Sequence, residues 1–278
     1  MNAPARRPFA IESLEAALNP RSIAVIGASE NPHKIGGRPI AYLQRFGFKG
    51  RVFPINPNRQ EIQGHRAFAS LAAVPEAPDL AIIAVPGMAA VEAVEACAAK
   101  GVRIAVVMTS GFGETGEEGR RAQDRMVSAA RAAGMRLVGP NTQGIANFSV
   151  GAVASFATMF NKVIPQDGPI GVVSQSGAMS VVPYALLRQR GLGVRHSHAT
   201  GNESDLTVAD FALAVANPGS VSTSNPGIAT SSSTPAKVSC WPTTPARSAS
   251  TSAPSTPSSS ATATTTTPAA SPPSSPPP

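Results

Sequence analysis

The stretch SIAVIG at residues 22–27 decides the fold, because a short apolar run ends there at a glycine. A run of this length is typical of a buried β-strand that stops at a tight turn. Four more apolar runs follow along the chain, at residues 52–55, 80–85, 104–108 and 136–138. Continuous apolar strands joined by helices predict a parallel sheet that is covered on both faces. We therefore expect an α/β fold, with a Rossmann-like unit over residues 12–146.

Helical segments separate these strands. Residues 36–46 follow the first strand, and residues 115–133 form a charged segment that ends before Gly134. Residues 88–100 are rich in alanine and precede Gly101, which we expect at the C′ position because glycine readily adopts the left-handed conformation. Cys97 in this segment is interpreted as a small core residue.

A second unit is indicated after residues 147–168, which show no regular pattern. A strand is predicted at 170–173, and the turn Ser174-Gln-Ser-Gly177 leads into a helix over 178–190. A short strand near 194–199 and a helix over 205–216 follow. Because a doubly wound domain needs more strands than these, we expect residues 165–216 to form an incomplete second α/β domain.

The composition changes near Asn217. Residues 218–278 contain 13 Pro, 17 Ser and 12 Thr, and their only charged residues are Lys237 and Arg247. Such a stretch cannot bury enough apolar surface to offset chain entropy, so we predict that it is disordered. The bias also suits a GC-rich gene read out of frame. We expect a frameshift or truncation, and the alternative is a genuine mucin-like or linker tail.

The composition of the whole chain excludes several classes of protein. No run of 18 apolar residues occurs, and the start MNAPARRPFA lacks the apolar segment of a secretory signal. We therefore expect no membrane partner and a cytoplasmic location. Two cysteines, Cys97 and Cys240, cannot form a disulfide framework or a zinc site. The net charge of +7 comes from scattered basic residues, which disfavours a nucleic-acid partner.

The residues that follow the strands are the candidates for ligand binding, because ligands of such sheets lie beyond the carboxyl ends of the strands. Small residues there allow backbone amides to approach a phosphate. Lys34, Arg38 and Arg59 are close enough in sequence to pair with it. By themselves, the first strand and its glycine fit a nucleotide site and a plain α/β turn equally well.

An NAD(P)-dependent oxidoreductase is a weaker alternative. After Gly27 the next glycines are Gly36 and Gly37, so the G-x-G-x-x-G fingerprint is absent. Asn56 also stands where an acidic residue would end the second strand of a dinucleotide site. Both features count against a dinucleotide cofactor.

Taken together, the loops resemble one family. The relevant stretches are AVIGASENPHKIGGRPI (24–40), VFPINPN (52–58), DLAIIAVP (79–86), VVMTSGFGETG (106–116), GPNTQGIANF (139–148), GVVSQSGAMS (171–180) and ATGNESDLTVADF (199–211). In this order they resemble the NDP-forming (ADP-forming) acyl-CoA synthetases, relatives of the succinyl-CoA synthetase α subunit. The resemblance implies a CoA-binding Rossmann domain followed by a flavodoxin-like CoA-ligase domain, here incomplete. It also implies acyl-CoA formation from a carboxylic acid, coenzyme A (CoA) and ATP with Mg²⁺, through an acyl phosphate and a phosphohistidine.

The resemblance also assigns binding residues by position. The residues implied to bind CoA are Gly27, Ala28, Ser29, Glu30, Asn56, Pro57, Arg59, Val85, Pro86, Thr109, Ser110, Gly111 and Asn141. Those before Val85 would hold the phosphates and the adenosine end, and those from Val85 to Gly111 would line the pantetheine path. Asn141 and Thr142 would lie near the thiol, although many relatives have Cys where this chain has Thr142. Ser174, Ser176 and Gly177, at a helix N-terminus, would hold the phosphate of the acyl phosphate or phosphohistidine.

Two features of the family are missing from the sequence. No histidine follows His198, so the family's phosphorylated histidine is absent, and there is no ATP-grasp portion. His196 and His198 alternate along one strand and are expected at the surface, and no histidine has zinc-ligand spacing. Glu203 and Asp205 are interpreted as a turn residue and a helix cap. We therefore predict no catalytic residue and no metal site in this chain.

Two functions from different classes remain open. In the first, the chain is the CoA-binding portion of an acid–CoA ligase, inactive alone and dependent on an ATP-grasp partner subunit or domain. In the second, it is a stand-alone CoA-binding or regulatory module without catalysis. These loops do not identify the acid substrate.

Overall fold

Five parallel strands form the first sheet of the described part of the chain, which comprises residues 14–216 and the backbone of residues 237–240 of a computed structural model. These strands are β1 (Ser22–Ile26), β2 (Arg51–Ile55), β5 (Leu80–Ile83), β6 (Ile104–Val107) and β7 (Arg136–Val138). Their order across the sheet is β2-β1-β5-β6-β7. The parallel sheet expected from the apolar runs is therefore confirmed.

Helices cover both faces of this sheet, and alternate residues of each strand point to opposite faces. Ile23 and Val25 of β1 pack into one core with α2 (Arg38–Arg45). Ala24 belongs to a second core with α3 (Met88–Lys100) and α4 (Glu117–Ala132). Shorter elements complete this half of the chain: α1 (Glu15–Leu18), the hairpin strands β3 (Glu61–Ile62) and β4 (His65–Arg66), and 3-10 turns at Leu71–Ala73 and Gly113–Thr115.

The end of α3 follows the sequence prediction. Gly101 is the C-cap residue with φ of 83°, and its N–H donates back to the carbonyls of Ala98 and Cys97. Cys97 is fully buried in the core, as predicted, and burial raises the pKa of its thiol to about 12. A thiol with so high a pKa stays protonated and unreactive at pH 7.

The second sheet is mixed. Its strands are β8 (Gly144–Asn147), β9 (Ala152–Ser155), β10 (Ile170–Ser174), β11 (Val194–Ala199) and β12 (Lys237–Cys240), in the order β12-β10-β11-β8-β9. β10 is parallel to β11 and β12, whereas β8 is antiparallel to β11 and β9. The helices of this half are α5 (Met159–Lys162), α6 (Gly177–Gln189) and α7 (Val208–Ala216).

Residues 147–168 are more regular than the sequence indicates. They contain most of the β8–β9 hairpin and α5, and the boundary expected at residue 146 falls inside β8. Both hairpin strands are only four residues long and fully buried, so they lack the alternation of apolar and polar residues that marks a half-exposed strand. The segment that looked irregular thus supplies one edge of the second sheet.

Residues 237–240 correct a further expectation. Their backbone pairs in parallel with β10, from Ile170↔Lys237 to Val173↔Cys240. The predicted absence of secondary structure over 218–278 is therefore wrong for these four residues. The rest of that segment lies outside the described residues.

His196 and His198 are buried, so the expectation that they lie at the surface is wrong. Their exposed fractions are 7% and 0%. The His198 ring stacks on Phe211 of α7 at 4.8 Å between centroids and on His196 at 5.2 Å. Burial lowers the pKa of His196 to about 4 and holds the pKa of His198 well below its ordinary value. Both rings are therefore neutral at pH 7.

A buried carboxylate ties the two halves together. Asp205, which follows β11, accepts hydrogen bonds from the side chains of Arg131 and Arg136 and from the backbone N–H of Leu137. Its side chain is 1% exposed. Asp205 is thus an ion-pair partner and not the expected helix cap. Glu203 instead accepts from the N–H of Val208, the first residue of α7.

No helix among residues 14–216 combines the length and the apolar character that a membrane crossing requires.

Candidate functional site

The loop after β1 is shaped by close backbone approach. Gly27 has φ of 84°, and a Cβ at this position would lie 2.8 Å from Cγ1 of Val85 and 3.0 Å from the Ala84 carbonyl oxygen. Gly37 is packed even more closely, because its Cβ would meet the carbonyl oxygen of Asn31 at 2.0 Å. The loop therefore requires glycine at both positions.

The backbone amides of this loop are partly occupied. The N–H groups of Gly27 and Ala28 both donate to the carbonyl of Ile55, at 3.3 and 3.2 Å. Ala28 is also only 2% exposed. Of the four loop residues implied by the resemblance, Glu30 is exposed, whereas Gly27 and Ser29 are half-buried.

Asn56 organises the end of β2. Its Nδ2 donates to the Ala28 carbonyl at 2.8 Å, and its Oδ1 accepts from the Asn58 N–H at 2.9 Å. The side chain therefore joins the loops after β1 and β2. Its contact with a phosphate stays a prediction.

Beside Asn56 lies a groove of about 660 Å³ that contains the predicted residues Pro57 and Arg59. Arg66, from the β3–β4 hairpin, also lines this groove, and its guanidinium lies over the Phe68 ring at 5.3 Å. Sequence reasoning missed Arg66, because its position depends on a two-residue strand. Two guanidinium groups make the groove suitable for an anion.

Lys34 and Arg38 differ in whether their side chains form hydrogen bonds within the fold. Arg38 donates to the carbonyls of Phe156 and His33, both at 2.7 Å. Its guanidinium therefore holds these two loops together, and its pairing with a phosphate stays a prediction. Lys34 is exposed.

The ends of β5 and β6 are joined by Thr109, whose Oγ1 donates to the Val85 carbonyl at 2.6 Å. Pro86, Ser110 and Gly111 lie exposed next to these two residues. The predicted residues that follow these neighbouring strands therefore form one continuous stretch of surface.

Glu114 stabilises this stretch and was not predicted. It accepts hydrogen bonds from the Gly111 N–H and from Nδ2 of Asn202, which follows β11. Burial acts to raise the pKa of Glu114, but these hydrogen bonds outweigh it and lower the pKa below its ordinary value. The carboxylate therefore stays charged and links the ends of the two sheets.

A cavity of about 420 Å³ lies where the two sheets meet. The residues of its wall include Met108, Asn141, Gln143, Phe156, Ser176 and Gly177. The fold thus brings together Asn141, predicted near a thiol, and Ser176 and Gly177, predicted at a phosphate. Asn141 has φ of 58°, in the left-handed region that Asn tolerates better than most residues.

The N-terminus of the 13-residue helix α6 faces this cavity. Ser176 is its N-cap, with a side chain that accepts from the Met179 N–H at 3.5 Å. Ser174 supports the turn, since its Oγ accepts from the Ser176 N–H at 3.2 Å. A helix N-terminus carries partial positive charge and free N–H groups, which suits a phosphate.

Thr142 is buried and structural. Its Oγ1 donates to the Ala199 carbonyl at 2.6 Å and accepts from the Gly144 N–H at 2.9 Å. The side chain therefore stabilises the connection between the sheets, and Thr142 also lines the cavity.

Comparisons with known proteins agree with the two-part architecture. Residues 21–147 match the CoA binding domain, and residues 167–223 match the succinyl-CoA ligase-like flavodoxin domain. The ADP-forming acetate–CoA ligase II subunit alpha of Pyrococcus furiosus is 39% identical over 71% of this chain and 42% of that protein. A trans-feruloyl-CoA synthase from an unknown prokaryotic organism is 34% identical over 74% of this chain and 29% of that protein.

Solved structures show the same relationship. The dinucleotide-forming acetyl-coenzyme A synthetase 1 of Candidatus Korarchaeum cryptofilum, solved with phosphate and ADP, superposes with a TM-score of 0.67 at 34% identity. The alignment covers 72% of this chain and 42% of that one. The chain thus spans less than half the length of these relatives. Over these residues it contains a CoA binding domain and a succinyl-CoA ligase-like flavodoxin domain, and it is similar there to ADP-forming acetate–CoA ligases.

Proposed function

We propose that this chain is the CoA-binding portion of an ADP-forming acid–CoA ligase. The observation that carries the proposal is the cavity between the two sheets, which joins a strand-end surface suited to CoA with a helix N-terminus suited to phosphate. In the reaction we propose, a carboxylate is activated as an acyl phosphate, and the CoA thiol displaces phosphate to form the thioester.

The order of the strands supports a path for CoA. Successive strand ends of the first sheet carry the groove with Arg59, the Gly27 loop, Val85, Thr109 and Asn141, in that spatial order. Five strands about 4.8 Å apart span roughly 19 Å from β2 to β7. An extended CoA along this edge has its adenosine phosphates at the Arg59 groove and its thiol at the cavity.

The α6 N-terminus is the proposed phosphate site. Ser176 and Gly177 lie in the cavity wall close to Asn141, so a phosphate there is adjacent to the thiol end of the CoA path. The positive end of the helix stabilises the negative charge on the transferred phosphate. An acyl phosphate bound here presents its carbonyl carbon to the thiol.

The phosphohistidine step requires a residue from elsewhere. Among residues 14–216, His196 and His198 are buried and neutral under α7, and neither lines the cavity. We propose that an ATP-grasp subunit or domain supplies ATP, Mg²⁺ and phosphoryl transfer, and that the chain alone does not make acyl-CoA. The Pyrococcus furiosus relative is named as subunit alpha, which supports a separate partner.

A stand-alone CoA-binding module is the second candidate, favoured by the lack of a histidine at the cavity within the described residues. A measurement of acyl-CoA formation distinguishes these two candidate functions. The full chain is incubated with ATP, Mg²⁺, CoA and a panel of acids, with and without a separately expressed ATP-grasp subunit. Thioester formed only with the added subunit supports the ligase portion, whereas none in either case supports the binding module. Turnover by the chain alone would contradict both.

CoA binding itself is tested by calorimetric titration of the full chain with CoA and with NAD. We expect CoA to bind more tightly, and tighter NAD binding would overturn the proposal. Ser29→Glu adds negative charge to the loop after β1 and is expected to weaken CoA binding at least tenfold, or about 1.4 kcal/mol. Ser128→Glu places the same change on an exposed position of α4 and serves as the matched control.

A further inference from the structure

Gln63 occupies a turn position that favours a different residue. It lies with Gly64 between the hairpin strands β3 and β4, and the two residues have φ of 51° and 77°. A two-residue turn with positive φ at both positions favours Asn-Gly, because Asn tolerates the left-handed conformation better than longer side chains do. Gln63 is therefore a locally unfavourable choice, and a compensating contact is expected elsewhere in the fold.

The compensating contacts reach the loop after β1. Nε2 of Gln63 donates to the carbonyls of Ser29 and Gly37, both at 2.9 Å. Ser29 stands near the start of the loop, and Gly37 is the N-cap of α2, where the loop ends. Residues 30–35, which lie between them, are all exposed. The two N–H groups of one carboxamide thus tie together both ends of an exposed loop.

The backbone of Gln63 is held as well. Its N–H donates to Oε2 of Glu30 at 2.9 Å, and its carbonyl accepts from Nε2 of Gln44 in α2. Hydrogen bonds from both the backbone and the side chain therefore connect Gln63 to the loop and to the helix that follows it.

The same hairpin contributes to the groove at the end of β2. Arg66 of β4 lines this groove together with Arg59. Ile62 of β3 is fully buried in the core, which anchors the hairpin. Because the hairpin is short and anchored, Gln63 sets the spacing between the loop after β1 and the two guanidinium groups.

We propose, resting on the function above, that Gln63 is a positioning residue for CoA. It holds the loop after β1 in the conformation that receives the CoA phosphates, at a fixed distance from Arg59 and Arg66. Without its carboxamide the loop adopts other conformations as well. The apparent CoA affinity then falls in proportion to the lost population of the binding conformation.

The test compares Gln63→Asn with Gln63→Leu, by calorimetric titration of the full chain with CoA and by denaturant unfolding. Asn suits the turn but is too short to bond both carbonyls, whereas Leu is closer to Gln in size but has no donor. We expect both variants to raise the CoA Kd roughly threefold to tenfold. Gln63→Asn should be the more stable of the two, so that the loss of affinity does not follow the loss of stability.

Gln189→Asn, at the exposed last residue of α6, is the matched control and keeps the wild-type Kd. Gln63→Gly also suits a positive φ and replaces Gln63→Leu if that variant does not fold. A wild-type Kd in Gln63→Asn, or losses of affinity that follow losses of stability across the variants, overturns the inference alone. Failure of wild-type chain to bind CoA overturns the proposed function, and the inference with it.

Discussion

The two sheets of the described region have different interiors. The first is filled almost entirely by aliphatic side chains, such as Ile23, Ile82 and Val106. The second buries an aromatic cluster and several polar groups, among them His196 and His198. The Cys97 thiol in the first interior titrates only far above neutral pH, whereas the buried histidines of the second interior respond to acid. The two halves should therefore differ in how they lose stability.

The largest expected effect compares one phenylalanine from each interior. Phe160 contacts the rings of Tyr42, Phe148 and Tyr184 at centroid distances of 5.1–6.2 Å. Phe160→Ala should lower the free energy of unfolding by about 4 kcal/mol, through lost burial and the cavity left behind. Hydrogen exchange should speed up mainly in residues 144–199.

Phe112→Ala is the matched change in the core that α3 and α4 share, where Phe112 is also buried. It should cost a similar free energy but accelerate exchange mainly in residues 80–138. If each variant accelerated exchange equally in both regions, the two interiors would not be separate units of stability.

The next largest effect is the pH dependence of the free energy of unfolding, which the buried histidines of the second sheet should produce. As pH falls below about 6.5, an unfolded histidine takes up a proton, whereas burial lowers the folded-state pKa of His196 to about 4. The unfolded state then binds more protons, so the free energy of unfolding falls by about 1.4 kcal/mol per pH unit for such a residue between pH 6 and 4. Denaturant unfolding at several pH values measures this slope.

His198→Leu removes the more deeply buried ring and should reduce the slope. His33→Leu changes an exposed residue of the Gly27 loop region and should leave it as in the wild type. A slope that neither His198→Leu nor His196→Leu alters would show that the acid sensitivity arises outside this histidine pair.

A smaller effect concerns the ion pair that links the halves. Burial opposes ionisation of Asp205, yet hydrogen bonds from Arg136 and Leu137 outweigh it and hold the carboxyl pKa below its ordinary value. Asp205→Asn keeps the shape of the side chain but weakens its charge-assisted hydrogen bonds, and it should lower the free energy of unfolding by about 2 kcal/mol at pH 7. Because the folded pKa is depressed, this contribution is present above about pH 4 and is lost as pH falls through the folded value.

The control is Asp167→Asn, which removes a 40%-exposed carboxylate from its pair with Arg195. An exposed pair contributes about 0.5 kcal/mol. Thermal and denaturant unfolding measure both variants. Equal losses would mean that the burial of Asp205 adds nothing to the coupling of the halves.

The smallest effect is at the α6 N-terminus. The Ser176 cap bond is long, at 3.5 Å, so Ser176→Ala should cost about 0.5 kcal/mol, the low end for an N-cap. Ser128→Ala in α4 removes no cap and is the control. A loss above about 1.5 kcal/mol would show that Ser176 has a larger structural role, and then any effect on phosphate binding could not be read separately.

Much of the first sheet could be predicted, because each of its strands is a continuous apolar run between turn residues. The second sheet was harder to predict. Gly144–Asn147 and Ala152–Ser155 are too short to show a period, and the burial of His198 depends on the packing of Phe211 of α7 against β11. The hydrophobic periodicity of a segment indicates the structure of that one helix or strand, whereas the burial of its residues depends on which elements pack together.

The candidate site divides in the same way. Strand-end loops are recognisable from sequence because glycine, proline and asparagine mark turns, and Asn141, Ser176 and Gly177 do share one cavity. Which polar groups already form hydrogen bonds within the fold could not be predicted. Arg38, Asn56 and the amides of Gly27 and Ala28 are used within the fold, while Arg66 and Gln143 enter the site through long-range packing.

The sequence by itself determined the alternation of strands and helices, the parallel first sheet and the family, since these depend on local apolar patterns and on the order of short motifs. Only the tertiary structure decided which groups face a ligand. A hydrogen bond between residues distant in sequence, such as Arg38 to Phe156, consumes a donor that the motif alone leaves available. Such hydrogen bonds depend on how closely the fold brings distant residues together. The local sequence around each residue does not indicate that distance.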